Sequence, residues 1–315
     1  MTRQYSIADH LISVTAPDNS VLWEVCPNYP PFEVTLSGNA GTQAMSGNAD
    51  TQDTEATGNQ TPSPLCSLEI VEDLQVPETT PVYEVKEKGY PGLAFSRFDS
   101  GWLIRMSPDA DIPAAGMLIA DEDFRSAKLK LLSATGRAMR FAVDNALMLM
   151  FALASAPLDT LEIHSSVTVC DGAGYAFLGK SGTGKSTHSR LWRENIPGST
   201  LLNDDNPVIR IKDGQARIYG TPWSGKTPCY KAESAPLGAI VRIRQCPENK
   251  IHLLSPVEAY ASLYSSCSAF REIKGTADGI HSTLSKLVSL VPMYLLDCRP
   301  DAQAAQLCHS TIALK

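Results

Sequence analysis

The sequence lacks several features that are typical of zinc-binding, nucleic-acid-binding, secreted or membrane proteins. None of its eight cysteines forms a C-x-x-C pair, so we predict no zinc site. Basic residues number 27 against 34 acidic ones, a net charge of −7, which argues against nucleic-acid or membrane-surface binding. Residues 1–6 have no apolar core of a secretory signal, and the longest apolar run, residues 146–156, is too short to span a bilayer. We therefore expect a cytoplasmic protein with no nucleic-acid or membrane partner.

The length of 315 residues is enough for two domains. Residues 1–120 contain strand-like runs separated by proline and glycine turns, which predict a β-rich N-terminal domain. Its first part, residues 5–34, predicts two or three strands. Residues 37–64 are almost entirely small and polar, and therefore predict a disordered insertion. Residues 124–155 predict one or two buried helices.

The most informative motif is a glycine-rich loop that fits G-x-x-x-x-G-K-[ST], the phosphate-binding signature. Its residues are Gly179, Lys180, Ser181, Gly182, Thr183, Gly184, Lys185, Ser186 and Thr187. The apolar run 174–178 before it predicts a buried strand, and residues 188–194 after it predict a helix. Backbone N–H groups and the positive helix end would then face a polyphosphate. Lys185 would contact the outer phosphates, and the Ser186 hydroxyl would hold Mg²⁺.

Two adjacent carboxylates, Asp204 and Asp205, follow a second predicted strand, residues 199–202, nineteen residues after Lys185. We expect this strand to lie next to the strand that precedes the glycine-rich loop. Phosphoryl transfer to a hydroxyl needs a group that holds the metal and a base that takes the proton. A pair of carboxylates can supply both, although an ordinary Asp- and Asn-rich turn has the same composition.

Residues 177–187 and 201–205 together resemble the HPr serine kinase and phosphoenolpyruvate carboxykinase superfamily. The resemblance covers residues 160–245, about a quarter of the chain. It implies an α/β fold, in which residues 121–315 form a P-loop nucleotide-binding, kinase-like domain after the small β-rich domain. It also implies an ATP-dependent, Mg²⁺-assisted phosphotransferase whose acceptor is a hydroxyl, for example a serine of a protein or peptide, or a small metabolite.

The resemblance also implies roles for individual residues. Lys185 would contact the β- and γ-phosphates and Ser186 would ligate Mg²⁺. One of Asp204 and Asp205 would be the base and the other a metal partner, with Asp204 slightly favoured as the base. His164 would lie near the transferred phosphoryl group, although a strand histidine bonded to the backbone is an equal alternative.

The sequence departs from the superfamily in two respects. The proline-glycine-arginine-asparagine signature of HPr kinases is missing from the C-terminal half, which argues against HPr as the acceptor. No set of arginines and lysines for oxaloacetate is evident, which disfavours decarboxylation. Two alternatives stay open, a nucleotide-binding regulator that transfers nothing and an NTP-dependent carboxykinase. The acceptor, the preference for ATP or GTP and the formation of a homo-oligomer are also open.

Two further stretches carry candidate residues. In the loop 218–228, Lys226 could clamp phosphate or substrate with Trp223 as a wall. The alternative is a long turn with an exposed lysine and a packed tryptophan. Arg242 and Arg244 lie on the same face of a predicted strand. They could face the nucleotide or line an exposed edge, and the edge is favoured.

Overall fold

The computed structural model describes residues 1–18, 20–35, 63–86, 91–225, 227–268 and 273–313. Over these ranges the chain forms two large sheets and six α-helices, which confirms the prediction of a mixed α/β fold. The predicted disordered insertion, residues 37–64, lies outside the described residues except for its last two positions.

The first sheet is formed by the N-terminal part of the chain. Its eight strands are β1 Thr2–Ile7, β2 His10–Thr15, β3 Cys66–Val71, β4 Thr80–Val85, β5 Gly92–Phe98, β6 Gly101–Ser107, β7 Gly116–Asp121 and β8 Ser126–Leu131. Their order is β1-β2-β3-β8-β7-β6-β5-β4. The sheet thus extends to Leu131, while the proposed domain boundary at residue 120 stays a prediction.

Two helix and strand predictions in this region are wrong. Residues 126–131 form strand β8, whereas we had predicted a helix from residue 124. The alternation of exposed Lys128 with buried Leu129 is a period-2 pattern, and the cross-strand bonds to β3 and β7 outweigh the helical preference of Ala, Lys and Leu. Conversely, Trp23 lies in a short helix, α1 Leu22–Val25, where we had predicted a strand.

Helix α2, Gly136–Ser155, packs between the two sheets. Val143, Ala146, Leu147 and Met150 are buried on its inner face, at the spacing typical of a core helix. The run 146–156 alone is too short to span a membrane, but the helix with the following turn is long and apolar enough. However, 61% of its most apolar window is buried inside the protein. Core helices of globular proteins have the same property.

The second sheet contains the remaining strands. These are β9 Thr160–Glu162, β10 Ser165–Cys170, β11 Ala173–Leu178, β12 Thr200–Asp205, β13 Val208–Lys212, β14 Gln215–Tyr219, β15 Ser234–Gln245, β16 Lys250–Leu253 and β17 Met293–Cys298. The order is β12-β10-β11-β15-β14-β13-β9, with β17 also beside β15 and β16 beside β17. The helices of this part are α3 Lys185–Asn195, α4 Pro256–Tyr264, α5 Lys274–Leu290 and α6 Ala302–Ile312.

Strand β12 does not lie next to β11, so our expectation of adjacent strands is wrong. Strand β10 lies between them and is antiparallel to both. Strands β11 and β12 therefore run in the same direction, and their carboxyl ends meet at one edge of the sheet. Leu178 and Asp205 are both paired with Ser165. The glycine-rich loop and the two aspartates thus lie near each other despite the intervening strand.

Candidate functional site

The glycine-rich loop connects β11 to α3 and needs its glycines to take this shape. Gly182 and Gly184 have φ angles of 80° and 100°, which side chains with a Cβ rarely adopt. A Cβ at Gly179 would lie 2.4 Å from the Thr183 hydroxyl. The backbone N–H and the hydroxyl of Thr183 both donate to the Lys180 carbonyl, at 3.1 and 2.8 Å. The loop is therefore closed on itself at the start of α3.

Helix α3 directs its N-terminus at this loop because it begins at Lys185. The first N–H groups of a helix have no partner within the helix and attract anions. Lys180, Ser181 and Ser186 are exposed around this helix end, and Thr187 is half-buried. Exposed hydroxyls and N–H groups beside a helix end can bind an anion and a hard cation together.

The ammonium group of Lys185 is buried in the loop and donates to several acceptors. Its Nζ lies 2.9 Å from His164 Nε2, 2.9 Å from the Gly179 carbonyl and 3.4 Å from the Lys180 carbonyl. Burial lowers the pKa of Lys185, while Asp205 and Asp204 oppose that shift. The three donors of the ammonium group are thus matched by three acceptors.

His164 connects Lys185 to Asp205. Its Nδ1 lies 2.9 Å from Asp205 Oδ1. Because an ammonium group can only donate, His164 Nε2 must accept the bond from Lys185. The neutral ring then carries its proton on Nδ1 and donates it to Asp205. The result is a hydrogen-bonded chain from Lys185 through His164 to Asp205, with the His164 side chain bonded within the site.

Asn203, which the sequence analysis did not single out, positions the aspartates. Its buried side chain accepts from the backbone N–H groups of Asp205 and Asn206, at 3.0 and 3.1 Å. Its amide nitrogen donates to the Thr221 hydroxyl at 3.1 Å and to the Trp223 carbonyl at 3.2 Å. An Asn directly before two Asp residues is a turn-forming signal, and here it fixes the end of β12.

The loop after β14 packs against the aspartates. The Gly225 N–H donates to the Asp204 carbonyl at 2.9 Å. A Cβ at Gly225 would lie 2.9 Å from the Asp204 carbonyl oxygen and 3.2 Å from Asp205 Cβ. Asp204 is buried and Asp205 half-buried. The predicted Lys226 lies outside the described residues, so its placement stays a prediction.

Trp223 is a packed residue of the core between the sheets. It is buried, and its indole N–H donates to the Tyr29 hydroxyl at 3.1 Å. Its ring centroid lies 5.4 Å from that of Phe151 on α2. These contacts agree with the alternative prediction for this loop, in which the tryptophan is packed. They also connect the loop to the N-terminal part of the chain.

A large cleft lies beside the glycine-rich loop, at the start of α3. Its volume is about 630 Å³, within the range of small-molecule sites. The ends of β15 and β17 form the opposite wall. Its lining includes Thr183, Thr187, His188, Gln245, Cys298 and Arg299. His188 is buried, which lowers its pKa to about 4, and it accepts a bond from the Trp192 indole at 3.1 Å. The volume of this cleft is sufficient for a group such as a nucleoside.

A second cleft, of about 300 Å³, lies on the other side of the loop and is lined in part by His164, Lys180 and Arg242. Arg242 Nη1 lies 3.2 Å from the Ser265 hydroxyl. Arg244 instead pairs with Asp297, with bonds of 2.5 and 2.6 Å. At Arg242, β15 has β11 and β17 as neighbours, so the predicted placement on an exposed edge is wrong for this residue. Arg244 pairs with β17 alone and is exposed.

Comparisons with known proteins add little to this geometry. No protein-family model matches the chain, and no curated protein matches it. The chain is similar to a solved structure, the Hpr(Ser) kinase/phosphatase from Coxiella burnetii. That similarity covers 48% of this chain and 95% of the other, at 11% sequence identity and a TM-score of 0.29. It is a weak structural resemblance, so the functional conclusion must come from the site itself.

Proposed function

We propose that the protein is an ATP-dependent, Mg²⁺-assisted phosphotransferase that acts on a hydroxyl group. The observation that carries this proposal is the chain from Lys185 through His164 to Asp205, with bonds of 2.9 Å each, beside a glycine-rich loop at a helix N-terminus. A cation, an anion-binding backbone and carboxylates converge there, and phosphoryl transfer needs these groups together.

The triphosphate would lie along the glycine-rich loop with its nucleoside in the 630 Å³ cleft. The first N–H groups of α3 would bind the phosphate oxygens. Lys185 now donates to the carbonyls of its own loop. Phosphate oxygens, which carry full charge, are stronger acceptors than these carbonyls. Lys185 would therefore exchange acceptors on binding and stabilise the charge on the outer phosphates.

The residues present fit a Mg²⁺ ion, which binds oxygen ligands together with substrate phosphates. The Ser186 hydroxyl is exposed at the start of α3, and Asp205 is half-buried at the end of β12. When bound, the ion would neutralise charge that develops on the phosphate oxygens. Ser186 and Asp205 would hold it.

The acceptor hydroxyl would enter from the second cleft, past Lys180 and Arg242. We assign Asp204 as the base that takes its proton as the new O–P bond forms and the bond to ADP breaks. Asp204 is buried, and its backbone carbonyl accepts from the Gly225 N–H, so the loop after β14 fixes the backbone at this residue. His164 would keep Asp205 and Lys185 oriented toward the transferred group.

Incubation of the protein with γ-labelled ATP, Mg²⁺ and a lysate of the source cell tests this proposal. The wild type should transfer label to an acceptor, and Lys185→Ala should abolish both ATP binding and transfer. Asp204→Asn should still bind ATP but lose transfer by about 10²-fold or more. Full transfer by Asp204→Asn would refute its role as base.

Two other outcomes would contradict the proposed reaction as a whole. ATP binding without any labelled product would favour a nucleotide-binding regulator. Release of CO₂ from oxaloacetate in the presence of nucleotide would favour a carboxykinase.

A further inference from the structure

Three side chains with metal-binding atoms converge at the edge of the second sheet opposite the glycine-rich loop. Cys170 ends β10, Asp171 follows it in the turn, and His309 lies on α6. Cys170 Sγ lies 3.6 Å from Asp171 Oδ2 and 4.0 Å from His309 Nε2. All three ligand atoms lie within 4.8 Å of one another. Because β11 runs from this turn to the loop, the cluster is separate from the candidate nucleotide site.

The fold fixes each of these side chains from a different direction. Asp171 and Gly172 have φ angles of 49° and 77°, as in the tight two-residue turns that connect antiparallel strands. Helix α6 packs on α3, where the ring of His309 meets the edge of Trp192 at a centroid distance of 5.3 Å. The meeting of Cys170 and His309, 139 residues apart in the chain, is thus a product of tertiary packing.

The atoms in this cluster match the ligand preferences of zinc. Thiolate, imidazole and carboxylate are its protein ligands, with bonds of about 2.3 Å to sulfur and about 2.0–2.1 Å to nitrogen. In a tetrahedral site such bonds place sulfur and nitrogen about 3.5 Å apart. The observed separations of 3.6 and 4.0 Å would need to contract by only a few tenths of an ångström. Hard cations such as Mg²⁺ avoid thiolate ligands.

The surroundings of the thiol are also polar. The Pro197 carbonyl oxygen lies 3.8 Å from Cys170 Sγ. The Ser199 hydroxyl oxygen is buried and has no hydrogen-bond partner among the described residues. This hydroxyl lies beside the Cys170 thiol. An apolar pocket for a structural cysteine would not bring two further oxygen atoms to the sulfur.

We propose that Cys170, Asp171 and His309 bind one Zn²⁺ ion, with water or the Pro197 carbonyl as the fourth ligand. Binding replaces the thiol proton of Cys170, which leaves to solvent as the S–Zn bond forms. The ion fastens α6 to the turn between β10 and β11. A C-x-x-C search could not find this site because only Asp171 is close to Cys170 in sequence.

Cobalt titration of the metal-free, full-length protein under reducing conditions tests the site. Co²⁺ bound to a thiolate gives a charge-transfer absorption band, which Zn²⁺ should abolish on displacing it. We expect one equivalent per chain. The band should be lost in Cys170→Ser, and the affinity should fall at least tenfold in His309→Gln. Cys246→Ser, which changes a half-buried thiol directly after β15, should behave as the wild type.

A second variant distinguishes loss of metal binding from loss of folding. Asp171→Asn keeps the turn because Asn also accepts a left-handed conformation, so weaker Co²⁺ binding by this folded variant would support the site. Zn²⁺ should also raise the Tm of the wild type but not that of Cys170→Ser. Absence of the cobalt band in the wild type, or an equal band in Cys170→Ser, would overturn the proposal.

Discussion

Replacement of Glu162 by Gln should remove a large pH dependence of stability. Glu162 lies on β9, and its side chain is 2% exposed. One carboxyl oxygen accepts from the Ser268 hydroxyl at 3.3 Å. The other is buried without a hydrogen-bond partner among the described residues. Burial raises the pKa of Glu162 to about 8; the bond from Ser268 opposes this shift and the nearby Asp205 adds to it.

The sign and size of the effect follow from proton linkage. The folded protein binds the Glu162 proton more tightly than the unfolded chain, whose carboxyl has its ordinary pKa of 4.5. Stability is therefore fully present below pH 4.5 and is lost as the pH rises toward 8. Each pH unit in this window removes about 1.4 kcal/mol, up to about 4–5 kcal/mol in total. Gln cannot ionise, so the variant escapes this loss.

Thermal unfolding of the wild type and Glu162→Gln from pH 5 to pH 8 measures the effect. The two proteins should be similar at pH 5. At pH 8 the variant should have the higher Tm, by roughly 10 °C if about 1 kcal/mol corresponds to 2–4 °C. Glu72→Gln, which changes an exposed glutamate, should follow the wild type throughout. A Tm difference that does not change with pH would show that Glu162 is not a protonated, buried carboxyl.

Other substitutions test the site and the packing. Gly225→Ala should reduce phosphoryl transfer at least tenfold with little change in ATP binding, since its methyl group would push on the aspartates; unchanged transfer in the labelled-ATP assay would contradict this. Gly279→Ala should lower the Tm, because its Cβ would lie 2.6 Å from a backbone oxygen at the end of α2. Gly275→Ala, in the same helix but with no atom within 4 Å of its Cβ, should raise stability by up to about 1 kcal/mol. Burial lowers the pKa of His188 to about 4, so the unfolded chain takes up this proton more readily than the folded protein. The wild type should therefore lose stability as the pH falls from 6.5 to 4. Urea unfolding of His188→Gln should show a smaller loss over the same range.

The local structure around the loop could be predicted from the sequence because local signals agree there. The apolar run 174–178 and the helix-forming run 188–194 correspond to β11 and α3. Each of these signals lies within a few residues of the element that it predicts.

The order of the strands could not be predicted in the same way. The insertion of β10 between β11 and β12 depends on the pairing of β10 with β12, which follows in the chain only after β11 and α3. No local pattern encodes that pairing. Asn203 and Gly225 act through contacts to Thr221 and Asp204 that only the folded protein shows. The convergence of Cys170 with His309 has the same origin.

The most direct test of the central claim is a crystal structure with Mg²⁺ and a non-hydrolysable ATP analogue. The claim predicts a triphosphate along the loop at the start of α3, bonded to Lys185, with its terminal phosphorus facing Asp204 and Asp205. A nucleotide bound elsewhere, or terminal phosphate density directed away from both aspartates, would contradict it.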